Sequence, residues 1–229
     1  MRGLSVWAGI EGCPGFAEAP RTSAGVGGHF GAPHMNRLVL ATLNPGKVRE
    51  LARLLGDLPI ELVSLADIPG ATLPEETGAT YAENALGKAR AARRLAGCAA
   101  LGDDSGLEVD ALGGAPGLHS ARFGGPRLDD AGRVALLLER LRAAPAGQRG
   151  ARFRCVIALV DECSRERVVE GVAEGEIAPA PRGAGGFGYD PVFFYPPLGR
   201  TFGELTDRER EDVSHRALAA RAARALLSG

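Results

Sequence analysis

The sequence predicts an α/β protein, on three observations. Residues 37–41 form a short apolar strand pattern that runs through a tight loop into helical spacing at 45–55. Residues 60–65 repeat the strand pattern, and a helix opens after Thr80. A third helical stretch, 129–143, leads into two further strand patterns at 152–160 and 167–177. Alternation of this kind lays helices on the faces of a sheet.

Each element has a local reason. The first helix has Asn44 as N-cap, Pro45 at its first position and Gly56 as its stop. Val48, Leu51, Leu54 and Leu55 recur at helical spacing. The loop before it aims N–H groups and Lys47 at one point, an anion site, although the same residues also suit a plain helix start. Thr80 and Glu83 form a capping box, which gives Glu83 a structural task. Glu76, just before that helix, has none. Lys88, two turns in, faces either a cleft or solvent. Val134, Leu137, Leu138 and Leu141 turn the third helix inward. Strands 152–160 and 167–177, joined by a polar turn, read as a hairpin.

The central stretch, residues 101–125, places Asp103 and Asp104 together before a Ser105-Gly106 turn. Adjacent carboxylates repel unless a cation lies between them. Magnesium suits such a place, since it takes one or two carboxylates plus substrate phosphates. A solvated turn in which one aspartate caps a backbone N–H fits the tetrapeptide as well. Further on, four glycines between 183 and 188 allow close approach to a ligand. Phe187 and Tyr189 offer faces for a base, and Asp190 can read a ring N–H or a sugar hydroxyl. Ser214-His215-Arg216 forms a dense group of donors ahead of a final Ala- and Leu-rich helix.

Composition narrows the function. The chain has 229 residues, 45% hydrophobic and 24% charged, which is ordinary for a soluble domain with a sizeable core. A net charge of -1 gives no global field for nucleic acid or anionic lipid. No apolar run approaches the roughly 20 residues needed to span a bilayer. Four cysteines without CxxC spacing suggest neither disulfides nor zinc, and point to a reducing cytoplasm. Only two of the 27 basic residues are lysine, Lys47 and Lys88, which marks both positions. Residues 1–34 are rich in Gly, Ala and Pro without periodicity. They read as a disordered extension, or as an upstream start assigned to a protein beginning at Met35, leaving 35–229 as the functional domain.

Five stretches, ATLNPGKVREL, EETGATYAENALGKA, GDDSGLEVDALGGAPGLHSARF, GGFGYDPVF and the closing ELT…SHR, stand in one order. Together they resemble the inosine triphosphate pyrophosphatase family, which acts on dITP, ITP and XTP. The resemblance implies an α/β fold with a long mixed sheet flanked by helices, in two lobes around a central cleft, usually as a homodimer. It implies magnesium-dependent cleavage of a purine nucleoside triphosphate, a small-molecule substrate, to monophosphate and pyrophosphate. By position, Thr42, Leu43, Asn44, Pro45, Gly46 and Lys47 grip the triphosphate. Glu76 and Asp104 hold the metal, Asp104 also accepts the proton from water, and Ser105 contacts the substrate. Phe187, Gly188, Tyr189 and Asp190, with His215 and Arg216, enclose the base. Leu43 departs from the small residue common there. Arg210 stands where many relatives have a substrate-binding lysine and keeps its charge.

A pocket of donors at Arg216 and His215 suits a 6-keto purine over adenine. Two rival readings remain open at this level. One is a related pyrophosphatase of different base preference, such as the septum-inhibitor-like group. The other is a nucleotide-binding sensor without turnover, which would not need the carboxylates Glu76 and Asp104 as metal ligand and proton acceptor.

Overall fold

The computed structural model describes residues 36–145 and 147–227. The segment 1–34 lies outside the described residues. Seven strands form one mixed sheet in the order β2-β1-β3-β4-β5-β6-β7. Strand β1 (Arg37–Leu40) pairs in parallel with β2 (Glu61–Ser64) and β3 (Ala99–Val109). Strands β4 (Gly150–Val160), β5 (Glu166–Ile177), β6 (Phe193–Tyr195) and β7 (Arg200–Thr201) continue the sheet antiparallel. Parallel neighbours need crossovers. Helix α1 (Pro45–Leu55) connects β1 to β2, and α2 (Tyr81–Ala96) connects β2 to β3. The pair β4–β5 is the expected hairpin.

Helix α2 packs on β3 and β4, whereas α5 (His215–Leu227), which follows the short α4 (Asp207–Val213), packs on β4, β5 and α1. Leu38, Leu40, Leu51, Leu55, Leu101 and Leu159 are buried in one core. Leu107, Leu137, Phe153, Phe193 and Phe202 form another, to which α3 (Asp130–Arg140) contributes. Truncating one such leucine to alanine typically costs about 2–5 kcal/mol. Among the described residues no helix is long and apolar enough to cross a membrane.

Strand register makes room for a site. Strand β1 opposes β3 only at Ala99, Ala100 and Leu101. Farther along, that edge of β3 is taken up again by the loop after it. Ser120 Oγ accepts the Leu107 N–H at 2.9 Å, and the Ala115 carbonyl accepts that of Val109 at 3.2 Å. Between these attachments a gap opens beside residues 104–106, which line a cavity.

Three local expectations are revised. Ser105 and Gly106 make no turn, because β3 runs unbroken through them. The glycines serve close approach instead. A Cβ at Gly102 would stand 2.2 Å from the Ala85 carbonyl oxygen of α2, and one at Gly106 would stand 2.3 Å from that of Gly117. Gly56 ends α1 in right-handed conformation (φ -72°) rather than as a left-handed stop. Thr80 does cap α2, accepting the Glu83 N–H at 3.1 Å, but the Glu83 carboxylate accepts from Ala79, one residue before the box partner. Gly102→Ala is therefore expected to push α2 off β3, at a cost of about 1–3 kcal/mol. An unchanged melting temperature would refute this close-packing account.

Candidate active site

Pleating separates the two aspartates that are neighbours in sequence, since successive side chains in a strand point to opposite faces. No single cation therefore bonds to both Asp103 and Asp104; each has its own paired lysine. On one face, Lys88 Nζ lies 2.9 Å from Asp104 Oδ1 and 3.0 Å from Glu76 Oε1. Asn84 Nδ2 donates to Asp104 Oδ2 at 3.1 Å. Asn84 and Lys88 are one helical turn apart on the buried side of α2, so the capped helix presents both to one carboxylate. Arg122 closes the group, donating to Glu76 Oε2 at 3.0 Å.

On the other face, Asp103 Oδ2 meets Lys47 Nζ at 2.9 Å and Arg216 Nε at 3.2 Å. Arg216 Nη1 donates to Glu50 Oε2 at 2.6 Å and Nη2 to Ser105 Oγ at 2.9 Å. Every guanidinium nitrogen thus has a protein acceptor, which engages three of its five N–H groups.

The charges are strongly tuned. Burial raises the Asp104 carboxyl, and the opposing pull of Lys88 does not cancel it. Burial acts on Asp103 too, yet Lys47, Arg216 and Lys88 hold it far below the usual carboxylate range. Lys88 is buried, but Asp103, Asp104 and Glu76 outweigh that burial and raise its pKa. Burial also drives the His215 pKa well below its usual value, with Arg216 and Lys47 adding to the effect. The ring is therefore neutral, stacked 4.6 Å from Phe153, with a buried Nδ1 lacking a protein partner.

A cavity of about 310 Å³ lies over this network, at the low end of ligand-site volumes. Among the residues expected from sequence, Asn44, Gly46, Lys47, Glu76, Asp104, Ser105, Arg210, His215, Arg216 and the segment 187–190 all line it. Thr42, Leu43 and Pro45 do not; Thr42 is buried and accepts the Asn44 N–H at 3.2 Å, and Leu43 is exposed. The helix N–H groups expected to be free are not. Asn44 Oδ1 accepts from Gly46 at 2.8 Å and from Lys47 at 3.2 Å. Tyr189 is buried, with its hydroxyl donating to the Ser120 carbonyl at 2.9 Å, so Phe187 is the exposed ring of that pair. Arg210 is held by the carbonyls of Phe202 and Leu205 and by Asp207.

Sequence reasoning left out Glu50 and Asn84, took Asp103 only as half of a pair with Asp104, and did not choose a direction for Lys88. The scarcity of lysine was the signal for Lys88; for Asn84 and Glu50 no signal stands out beyond helical phase.

Among the described residues no three His, Cys, Asp or Glu side chains cluster as a metal site. The donor set is instead a pair, Glu76 and Asp104, joined through one ammonium. Two hard oxygen donors fit magnesium, which leaves its other positions to water and phosphate.

Asp190 is buried with its Oδ2 accepting the Phe187 N–H at 3.1 Å, and burial pushes its carboxyl up to about 7. Between pH 4 and 7 the unfolded chain releases this proton while the native state keeps it. Stability therefore falls as pH rises through that window, by about 1.4 kcal/mol per unit at most. Asp190→Asn lacks this term, so it should gain stability relative to wild type between pH 5 and 8. Parallel pH curves in urea unfolding would refute the assignment.

The sequence profile of the Ham1 family matches residues 38–226. This chain belongs to the Ham1 family. It is 50% identical over 185 residues to the dITP/XTP pyrophosphatase of Geobacillus kaustophilus, covering 81% of this chain and 91% of that one. It is 49% identical over 192 residues to the dITP/XTP pyrophosphatase of Desulforamulus reducens, covering 84% and 96%. A HAM1 protein from Coxiella burnetii has a similar structure, with TM-score 0.77, 43% identity and coverage of 85% and 99%. So does a nucleoside-triphosphatase, a dITP/XTP pyrophosphatase, from Mycobacterium abscessus, with TM-score 0.67, 47% identity and coverage of 83% and 98%. The Ham1 fold and the mixed seven-stranded sheet agree with the resemblance read from the motifs.

Proposed function

We propose that this chain hydrolyses dITP, ITP and XTP to the nucleoside monophosphate and pyrophosphate, clearing non-standard purines from the nucleotide pool. The reading includes magnesium as cofactor, a homodimer and a cytoplasmic location. One observation carries it within this family: Asp104 lines the cavity, with raised proton affinity and both oxygens held by Lys88 and Asn84.

In this reading Glu76 and Asp104 hold magnesium, which when bound neutralises charge on phosphate oxygens. Asp104 takes the proton from the attacking water, with Lys88 and Asn84 fixing its carboxylate at the cavity wall for that task. Lys88 keeps Asp104 oriented between Asn84 and Glu76. Lys47 offers its ammonium to the polyphosphate at the start of α1 and holds it in line. Phe187 stacks on the purine, and neutral His215 and the remaining Arg216 donors face its 6-keto oxygen.

The direct test is product analysis with ITP, XTP and ATP. Monophosphate and pyrophosphate should form from ITP and XTP, with ATP turned over slowly. Orthophosphate as the first product would rule the reading out.

A further inference from the structure

The exposed Phe187 ring sits on a segment that needs holding. Its neighbour Gly188 has φ +63°, and a Cβ there would meet nothing within 4 Å. Asp190 accepts from Phe187 within the segment itself, and Tyr189 is anchored through its hydroxyl. Further holds come from elsewhere in the chain: the Gly203 N–H donates to the Asp190 carbonyl at 2.8 Å, and Asp130 Oδ2 accepts the Gly188 N–H at 2.9 Å.

Asp130 does not cap α3, although its charge in the first turn suits the helix N-terminus. It is the first residue of α3, whose N-cap is Asp129, accepting the Gly132 N–H at 2.8 Å. The other Asp130 oxygen accepts from Arg133 Nη1 at 3.1 Å, one turn along the helix. Helix α3 is itself fixed in the core by Val134 and Leu137. The carboxylate thus connects a rigid helix to the glycine between Phe187 and Tyr189. Phe187 in turn lies close to Gly46 at the start of α1, and the Arg216 guanidinium carbon lies over its ring, 5.6 Å from the centroid.

We propose that Asp130 is a positioning residue for nucleotide binding, which sets the Phe187 ring at base-stacking height by holding the Gly188 N–H from α3. This rests on the function proposed above. Arg133 serves it by fixing the Asp130 rotamer.

The experiment compares wild type, Asp130→Ala and Asp130→Asn in the full chain, with ITP as substrate. Asp130→Ala loses the acceptor, so KM should rise about tenfold while kcat stays within about twofold. Asp130→Asn keeps a carbonyl for Gly188 and should restore KM to within about twofold. Both variants should melt within about 4 °C of wild type, since the side chain is exposed. Amide exchange of residues 183–190, followed by mass spectrometry, should quicken in Asp130→Ala and return towards wild type in Asp130→Asn. Unchanged exchange, a KM rise shared by both variants, or a loss in kcat alone would overturn the proposal. If wild type fails to release pyrophosphate from ITP, the function reading falls, and the exchange comparison alone decides whether Asp130 holds the segment.

Discussion

Asp104→Asn is expected to lower kcat on ITP by about 10²–10⁴-fold, the usual cost of losing a general base. The amide cannot take a proton from water. It also sets a second donor against Lys88 or Asn84, both of which now donate to the carboxylate. Folding should survive, because Lys88 keeps Glu76 as partner and burial already works against a charge on residue 104. Turnover and a melting curve on the same preparation test this. Near-normal turnover in a folded variant would place the base elsewhere.

Arg216→Ala should be the most destabilising single change at the site, at about 3–5 kcal/mol. The side chain is buried and donates to Asp103, Glu50 and Ser105 at once. Its removal leaves Asp103 with Lys47 as its remaining ion-pair partner, and leaves Glu50 with Ser214, whose hydroxyl donates to it at 3.0 Å. For a chain of this size the melting temperature should fall by roughly 6–20 °C. Arg53→Ala, which breaks exposed pairs to Asp207 and Glu211, is the contrast and should cost under about 1 kcal/mol. Equal effects from the two changes would mean that the buried network contributes little. The result also governs any test of base choice, since lost activity in a partly unfolded Arg216 variant says nothing about which atom reads the purine.

Much of the fold was legible because its signals are local. Asn44 and Pro45 start α1, Thr80 starts α2, and strands 152–160 and 167–177 pair as a hairpin, each as the residues suggested. The site was legible through motifs, and its wiring was not. Reading Asp103 and Asp104 as a pair that shares one cation ignored the alternation of a strand, because the following Ser-Gly resembled a turn. Gly106 was read as part of a turn and Gly102 was not singled out, because the close passes of α2 and residue 117 that explain them are tertiary. Contacts such as Glu50 with Arg216 and Asp130 with Gly188 join residues 166 and 58 positions apart, where periodicity within one helix carries no information.

The early end of β1 carries a consequence for how this chain tolerates change. Extending β1 by four paired residues in the same register, to bring 43 and 44 opposite 104 and 105, would look like an improvement, adding ladder bonds to a short strand. It would also zip the open edge of β3 beside Asp104 and Ser105, filling the space a nucleotide needs. Insertions or stabilising designs at residues 41–44 therefore trade catalysis for a more complete sheet. A selection for thermal tolerance alone would be expected to drift towards well-folded, inactive proteins at this seam.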